Sequence, residues 1–147
     1  MTDLNHVERW AGVLIEKLAP AERKKLARSL ATDLRRSTRE RITAQRNPDG
    51  SAYAPRRGQA KTGRVRRKAM FQKLRTTKYL KSKYNAKGVS VGFFDRIAKL
   101  ARVHQFGLRD RIARRGPQVK YERRELLGFS TQDVNLINDG LIEHLTR

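Results

Sequence analysis

Hydrophobic residues at the start of the chain recur at three- and four-residue steps, the spacing of one face of an amphipathic helix. The stripe consists of Leu4, Val7, Ala11, Leu14 and Leu18. Pro20 interrupts this pattern and suits the first turn of a new helix, because proline has no amide hydrogen to donate there. The pattern therefore predicts a first helix that ends before Pro20.

A second stripe with the same spacing follows Pro20. Its members are Leu26, Leu30, Leu34, Thr38 and Ile42, with Ala27 and Ala31 beside them. The other side of this segment is cationic, with Arg23, Lys24, Arg28, Arg35, Arg36 and Arg39. Pro48 ends the helix because the residue before a proline is pushed out of helical geometry. Residues 1–47 are thus predicted to form an antiparallel helical hairpin.

Alternating polar and apolar residues predict a β-hairpin after the helices. Residues 76–84 and 89–93 alternate, and the Asn85-Ala86-Lys87-Gly88 run between them predicts a turn. A brief apolar spacing over residues 65–74 predicts a short helix just before the first strand. Residues 108–116 are predicted to form a basic loop, and residues 117–121 a third strand.

Two further helices are predicted in the last third of the chain. Asp95 is placed to cap the first and Gly107 to end it, and its shared face is Ile97, Leu100, Ala101 and His104. Residues 130–133 resemble a capping box, with Asp133 in the position usually held by glutamate. The expected buried side of the last helix is Val134, Ile137, Leu141 and Leu145.

These elements predict one α+β domain over residues 1–147. A helical hairpin (1–47) and a C-terminal helix pack on a small, mainly antiparallel sheet in this arrangement. Residues 48–68 form a basic loop and residues 69–147 the α+β core, with Tyr53 anchoring the loop on that core. Residues 56–68 hold seven cations and almost nothing apolar, a composition typical of a flexible segment.

Charge is the strongest chemical signal in the sequence. The chain has 35 Lys and Arg against 14 Asp and Glu, a net charge of +21. Residues 1–22 carry −2 and residues 125–147 carry −3, so the middle carries +26. Such a segment attracts phosphate backbones or acidic protein faces. It can bind nucleic acid, line a channel for it, or dock on acidic partners.

Candidate catalytic chemistry is sparse. The chain has no cysteine, and its three histidines lie far apart without ligand spacing. Its carboxylates fit helix caps and surface positions, and no phosphate-binding loop or nucleophile elbow occurs. His104 is expected to hydrogen-bond a backbone carbonyl near a helix end. We therefore predict that the chain is not an enzyme and has no cofactor or metal. No apolar run approaches a bilayer's thickness and no signal peptide is seen, so we expect a soluble protein made in the cytoplasm, without membrane contact.

Four segments together resemble the phage virion morphogenesis family, the tail completion proteins of contractile-tailed phages. They are residues 46–55 (Arg-Asn-Pro-Asp-Gly-Ser-Ala-Tyr-Ala-Pro), 89–93 (Val-Ser-Val-Gly-Phe), 101–107 (Ala-Arg-Val-His-Gln-Phe-Gly) and 121–130. The family pattern before Leu127-Gly128 usually has two prolines that residues 121–126 lack. The resemblance covers most of the chain.

The resemblance implies a structural virion protein that completes the tail and joins head to tail as a tail terminator or neck connector. Related proteins form rings, often hexameric, so the implied partners are further copies and neighbouring tube, sheath or neck proteins, with non-specific contact to passing DNA. The implied fold-defining residues are Pro48, Asp49, Gly50, Tyr53, Pro55, His104, Gln105, Phe106, Gly107, Leu127 and Gly128. The expected assembly or DNA-channel contacts are Arg56, Arg57, Lys61, Arg64, Arg66, Arg67 and Lys68.

Charge alone would also favour a different class, a free nucleic-acid-binding protein with a regulatory or packaging role. Sequence-specific binding has little support, because no zinc finger, zipper or aromatic RNA-binding motif occurs. An enzyme acting on nucleic acid lacks clustered carboxylates for metal.

Overall fold

A computed structural model describes residues 2–56, 69–111 and 114–147, without the side chains of residues 2–7 and of Trp10. The expected contact residues Arg57, Lys61, Arg64, Arg66, Arg67 and Lys68 lie outside the described residues. The helices are α1 (Thr2–Lys17), α2 (Pro20–Thr43), α3 (Asp95–Phe106) and α4 (Thr131–Thr146). The strands are β1 (Lys81–Asn85), β2 (Gly88–Gly92), β3 (Arg109–Arg111) and β4 (Gln118–Lys120). The predicted α+β class and the first two helices are confirmed.

Helix α2 is the central element, because α1, α4, β1 and β2 all contact it. Its buried side is Ala27, Ala31, Leu34, Ser37, Thr38 and Ile42, which follows the predicted stripe. Gly140 of α4 faces Leu30 so closely that a β-carbon there would lie 2.9 Å from Leu30 Cδ2. Helix α4 therefore packs on α2 through a glycine.

The hydrophobic core lies where the C-terminal half of α2 meets the loops, the β1–β2 hairpin and α3. Its buried members are Ile42, Tyr53, Leu74, Leu80, Phe93, Ala101 and Leu126. Arg35 Nε donates to the Leu80 carbonyl at 2.8 Å, which holds the start of β1 against α2. The anchoring of the loop by Tyr53 is confirmed.

The strands form two separate antiparallel hairpins instead of the single sheet that was predicted. In the first, Lys81 pairs with Gly92 and Asn85 with Gly88. Asn85 Oδ1 accepts hydrogen bonds from the Lys87 and Gly88 amides at 2.7 and 3.0 Å, as suits the predicted turn. The second hairpin, β3–β4, includes part of the segment predicted to be a basic loop.

Two other local predictions are wrong in part. Residues 76–80 form turns instead of strand, because the Tyr79 and Leu80 amides donate to the Thr76 carbonyl. The described part of the expected short helix, residues 69–74, consists of bends and turns, and Phe71 has φ +65°. Asp95 does not cap α3: it is the first helical residue, at φ +60°, and Phe94 is the N-cap.

The buried faces of the last two helices differ from the predicted stripes. Leu100 is exposed on α3, and Val134 and Leu141 are exposed on α4. In their place Asp133 is buried, with its Oδ1 accepting a hydrogen bond from Ser37 Oγ of α2. The predicted capping box is confirmed, because Ser130 Oγ accepts from the Asp133 amide and Asp133 Oδ2 from the Ser130 amide. Of the helices in the described residues, none has both the length and the hydropathy to span a bilayer.

Candidate functional site

Three segments that are far apart in sequence meet beside the core, at residues 45–55, 103–107 and 121–128. We call this meeting point the junction. Gln105 joins two of the segments: its Oε1 accepts from the Leu126 and Leu127 amides at 2.8 and 2.9 Å, and its Nε2 donates to the Leu127 carbonyl at 2.8 Å. A single side chain thus satisfies three backbone groups of a segment that has no regular structure.

Asn47 joins the remaining segment to the same strip of chain. Its Oδ1 accepts from the Glu125 amide at 2.9 Å, while its Nδ2 donates to Ser51 Oγ at 3.1 Å. The turn is closed by the Gly50 amide donating to the Asn47 carbonyl at 2.9 Å, with Gly50 at φ +89°. The Ser51 amide and hydroxyl both donate to Asp49 Oδ1, which holds this carboxylate within the turn and lowers its pKa.

Arg41 and Tyr53 bind the same carbonyl from the side of α2 and the loop. Tyr53 Oη donates to the Glu125 carbonyl at 3.0 Å, and Arg41 donates to the Glu125 and Leu126 carbonyls at 3.3 and 3.1 Å. Burial raises the pKa of Tyr53 to about 12, and Arg41 opposes this rise. Burial lowers the pKa of Arg41. Both side chains serve as donors to backbone carbonyls.

Arg124 is buried, although it belongs to a run of charged residues. Its Nε and Nη2 donate to the Ala54 and Pro55 carbonyls at 2.8 and 2.9 Å, and its amide donates to the His104 carbonyl at 2.8 Å. Arg124 therefore ties the end of the first segment to the end of α3.

His104 packs as an aromatic ring. Its ring lies between Phe71 and Tyr121, with centroids 4.9 and 5.0 Å away and edge-to-face geometry. Its Nδ1 is buried without a hydrogen-bond partner among the described residues, and burial together with Arg124 lowers its pKa. The structure shows no carbonyl hydrogen bond from the His104 side chain among the described residues, whereas His144 makes one, its Nε2 donating to the Lys17 carbonyl at 2.9 Å.

Two glycines allow the segments of the junction to approach. Gly107 ends α3 at φ +62°, as predicted, and a β-carbon there would lie 3.0 Å from the Arg123 amide nitrogen. Gly128 has φ +147°, and a β-carbon would lie 2.7 Å from Pro48 Cγ. Both positions require the conformational freedom and small size of glycine.

The side chains of the junction hold backbone segments in position. Its polar side chains bind mainly backbone groups and lack an arrangement of nucleophile and base. Among the residues that the structure describes, no group of three His, Asp or Glu could hold a metal ion. The sequence reasoning missed Arg41 and Arg124, which it counted only as positive charge. Hydrogen bonds from an arginine side chain to backbone carbonyls leave no local sequence signal.

Two surface grooves lie near the ends of α3 and α4. The first, about 270 Å³, is lined by Phe93, Ala98, Ala101, Arg102, Gln105, Phe106 and Leu127. Phe106 is 58% exposed and Phe129, two residues beyond Leu127, is 70% exposed. The second groove, about 700 Å³, runs between α1, α2 and α4 and holds five carboxylates, Glu16, Glu22, Asp33, Asp139 and Glu143. Lys17, Lys25 and Arg147 also line it.

The segments of the junction are largely those that carry the resemblance described above. The chain matches the phage virion morphogenesis family over residues 2–146. It belongs to this family. A family relative, tail completion protein S of Escherichia phage P2, is 43% identical over 151 aligned positions that cover all of both chains. No solved structure matches the chain. The sequence-based assignment to the family is confirmed.

Proposed function

We propose that this chain is a structural protein of a phage virion that completes the tail and takes part in joining it to the head. Membership of the phage virion morphogenesis family over residues 2–146 carries this proposal, and the printed name of the P2 relative supports the tail completion role. The junction supports a non-enzymatic role, because its side chains are engaged in holding backbone segments in place. The whole chain acts as one domain in this proposal.

Copies of the chain form a ring through which DNA passes, with six copies to a ring as in many related neck proteins. A chain with a charge of +21 repels its own copies, so apolar surface must supply much of the contact. Exposed apolar side chains are available for this on α1, α3, α4 and the loops near them: Val13, Ile15, Leu18, Leu100, Phe106, Leu108, Phe129, Val134, Leu141 and Ile142.

Charge can also contribute to contacts between copies. The carboxylate-bearing groove between α1, α2 and α4 differs in sign from the exposed cations of α2, such as Arg23, Lys24 and Arg28. A contact between two different faces is heterologous, and heterologous contacts close into rings when the rotation between copies allows it. The expected contacts of residues 56–68 with neighbouring proteins or DNA stay a prediction; Arg56, the member that the structure describes, is exposed.

The direct test uses phage particles that lack the chain. We expect cells infected with such a mutant to accumulate filled heads and separate tails, and a tagged copy supplied in trans to restore joined particles and to be found in purified virions. Joined, infectious particles formed without the chain would contradict the proposal. Restored infectivity with the tagged chain absent from virions would favour the rival, a free nucleic-acid-binding protein.

A further inference from the structure

The β3–β4 hairpin begins directly after the junction. The Leu108 amide donates to the Val103 carbonyl at 2.9 Å, and the Tyr121 amide donates to the Leu108 carbonyl at 3.0 Å. The base of the hairpin is therefore tied to the end of α3. These contacts with α3 and the junction fix the direction in which β3 and β4 extend from the core.

The outward residues of the hairpin are nearly all cationic. Arg109 pairs with Lys120, Asp110 with Val119, and Arg111 with Gln118. Because side chains alternate along a strand, the first and third of these pairs share one face, and all four of their residues are exposed. Only the middle pair is half-buried. The turn adds two exposed cations, Arg114 and Arg115.

This arrangement places like charges against each other. Arg109 and Lys120 are directly opposite, and such like-charged cross-strand pairs are destabilising. Asp110 does not neutralise these cations. Its side chain points to the opposite face of the hairpin from Arg109 and Arg111, and its Oδ1 accepts from the Arg111 amide at 2.8 Å. Within the described part of the chain, no salt bridge joins these cations to a carboxylate. The face therefore has unneutralised charge that a bound anion would compensate.

We propose that this cationic face, Arg109, Arg111, Gln118 and Lys120 with Arg114 and Arg115 at the turn, binds the phosphate backbone of double-stranded DNA without sequence preference. The proposal rests on the proposed passage of DNA through the assembly. A phosphate backbone is held by Lys and Arg contacts that need no apolar centre. A protein interface has its energetic centre in buried apolar or aromatic residues, and the outward face of the two strands has none.

The test compares two variants that remove equal charge. The first is Arg109→Gln/Arg111→Gln/Lys120→Gln, and the control is Lys87→Gln/Arg96→Gln/Lys99→Gln, three exposed cations of the β1–β2 turn and α3. Affinity for a fluorescein-labelled 30-base-pair duplex is measured by anisotropy from about 50 to about 200 mM salt. Each lost phosphate contact lowers the salt slope by about 0.9. We expect the slope to fall by about 2 to 3 in the hairpin variant and by less than about 1 in the control.

A second variant tests the unneutralised pair directly. Lys120→Glu places a carboxylate opposite Arg109, so thermal stability should stay equal or rise while DNA affinity falls several-fold. A fall in both would show that Lys120 acts through folding, and would overturn the proposal. Three other results would also overturn the proposal. They are an equal loss of the salt slope in the two triple variants, no DNA binding by the wild type, and competition by polyglutamate as strong as competition by duplex DNA. Sedimentation of the same samples reports ring formation, so failure of the ring is seen separately.

Discussion

Gln105 and Leu127 are joined by two hydrogen bonds that run in opposite directions. The Gln105 side chain accepts from the Leu127 amide at 2.9 Å and donates to the Leu127 carbonyl at 2.8 Å. The side chain of Gln105 thus bonds both backbone groups of Leu127, as a residue of a neighbouring β-strand would do with its own amide and carbonyl. This pairing fixes the segment that carries Glu125, Leu126 and Gly128, and with it the floor of the apolar groove beside Phe106.

Replacing Gln105 should destabilise the fold. Gln105→Leu leaves the Leu126 amide and both backbone groups of Leu127 without their partner, and each unsatisfied group that stays buried costs about 1 to 3 kcal/mol. We expect the free energy of unfolding to fall by at least about 2 kcal/mol in urea denaturation. The exposed Gln132→Leu on α4 is the matched control and should change it by less than about 0.5 kcal/mol. Equal effects of the two would refute the role of Gln105.

Gly128 should not tolerate a side chain. Its φ of +147° and the proximity of Pro48 make Gly128→Ala strained in two ways, and we expect a loss of about 1 to 3 kcal/mol of stability. Gly12 in α1 has open space around it. Gly12→Ala should therefore keep or slightly raise stability, because alanine favours helix over glycine. Thermal unfolding of both variants compares the effects, and a Gly128→Ala protein as stable as wild type would show that the loop can shift at no cost.

His104 should make stability depend on pH. Its folded pKa lies below its ordinary value of 6.5 because burial and Arg124 disfavour the charged ring. The stabilisation is therefore complete above the unfolded pKa and is lost as pH falls through the folded pKa. Between about pH 7.5 and 5 we expect wild type to lose more stability than His104→Phe, which keeps an aromatic ring but does not titrate. Parallel pH profiles for the two proteins would contradict this.

Salt should have opposite effects on self-association and on DNA binding. Screening shortens the reach of charge from about 30 Å at 0.01 M to about 8 Å at 0.15 M salt, which weakens the repulsion between copies while apolar contacts persist. Sedimentation should show larger species as salt rises over this range, and DNA affinity should fall. Phe129→Ser should reduce the larger species, whereas Thr131→Ser at the nearby helix start should not. Assemblies that dissociate steadily as salt is added would contradict an apolar contact.

Local signals explain which parts of the fold the sequence predicts well. The stripe of α2, the Asn85 turn and the capping box of Ser130 and Asp133 each depend on residues within a few positions of one another. The α4 face was mispredicted in part because an aspartate and a glycine, not apolar side chains, mark the side of that helix that packs on α2. Gly140 lies against Leu30 and Asp133 is bonded to Ser37, and both contacts are with another helix.

Sequence motifs indicate which segments form the junction, but not how those segments contact one another. The motif residues drew attention to residues 46–55, 101–107 and 121–130, but the hydrogen bonds between these segments join positions 20 to 78 residues apart. Arg41 and Arg124 contribute through backbone carbonyls, which every sequence has. The sequence did not predict that β3 pairs with β4 in a second sheet. That pairing places Arg109 opposite Lys120, and like charges at opposite positions of a strand pair are unfavourable.

The central proposal is that copies of this chain form a closed ring where the tail joins the head. The most direct measurement is a cryo-electron microscopy reconstruction of that region in intact virions, with a fusion tag after Arg147 as a fiducial mark. The proposal predicts a rotationally symmetric layer into which one copy of the fold fits per subunit, with the apolar groove beside Phe106 covered by a neighbour. A tagged chain found elsewhere in the particle, or present as a single unpaired copy, would contradict it.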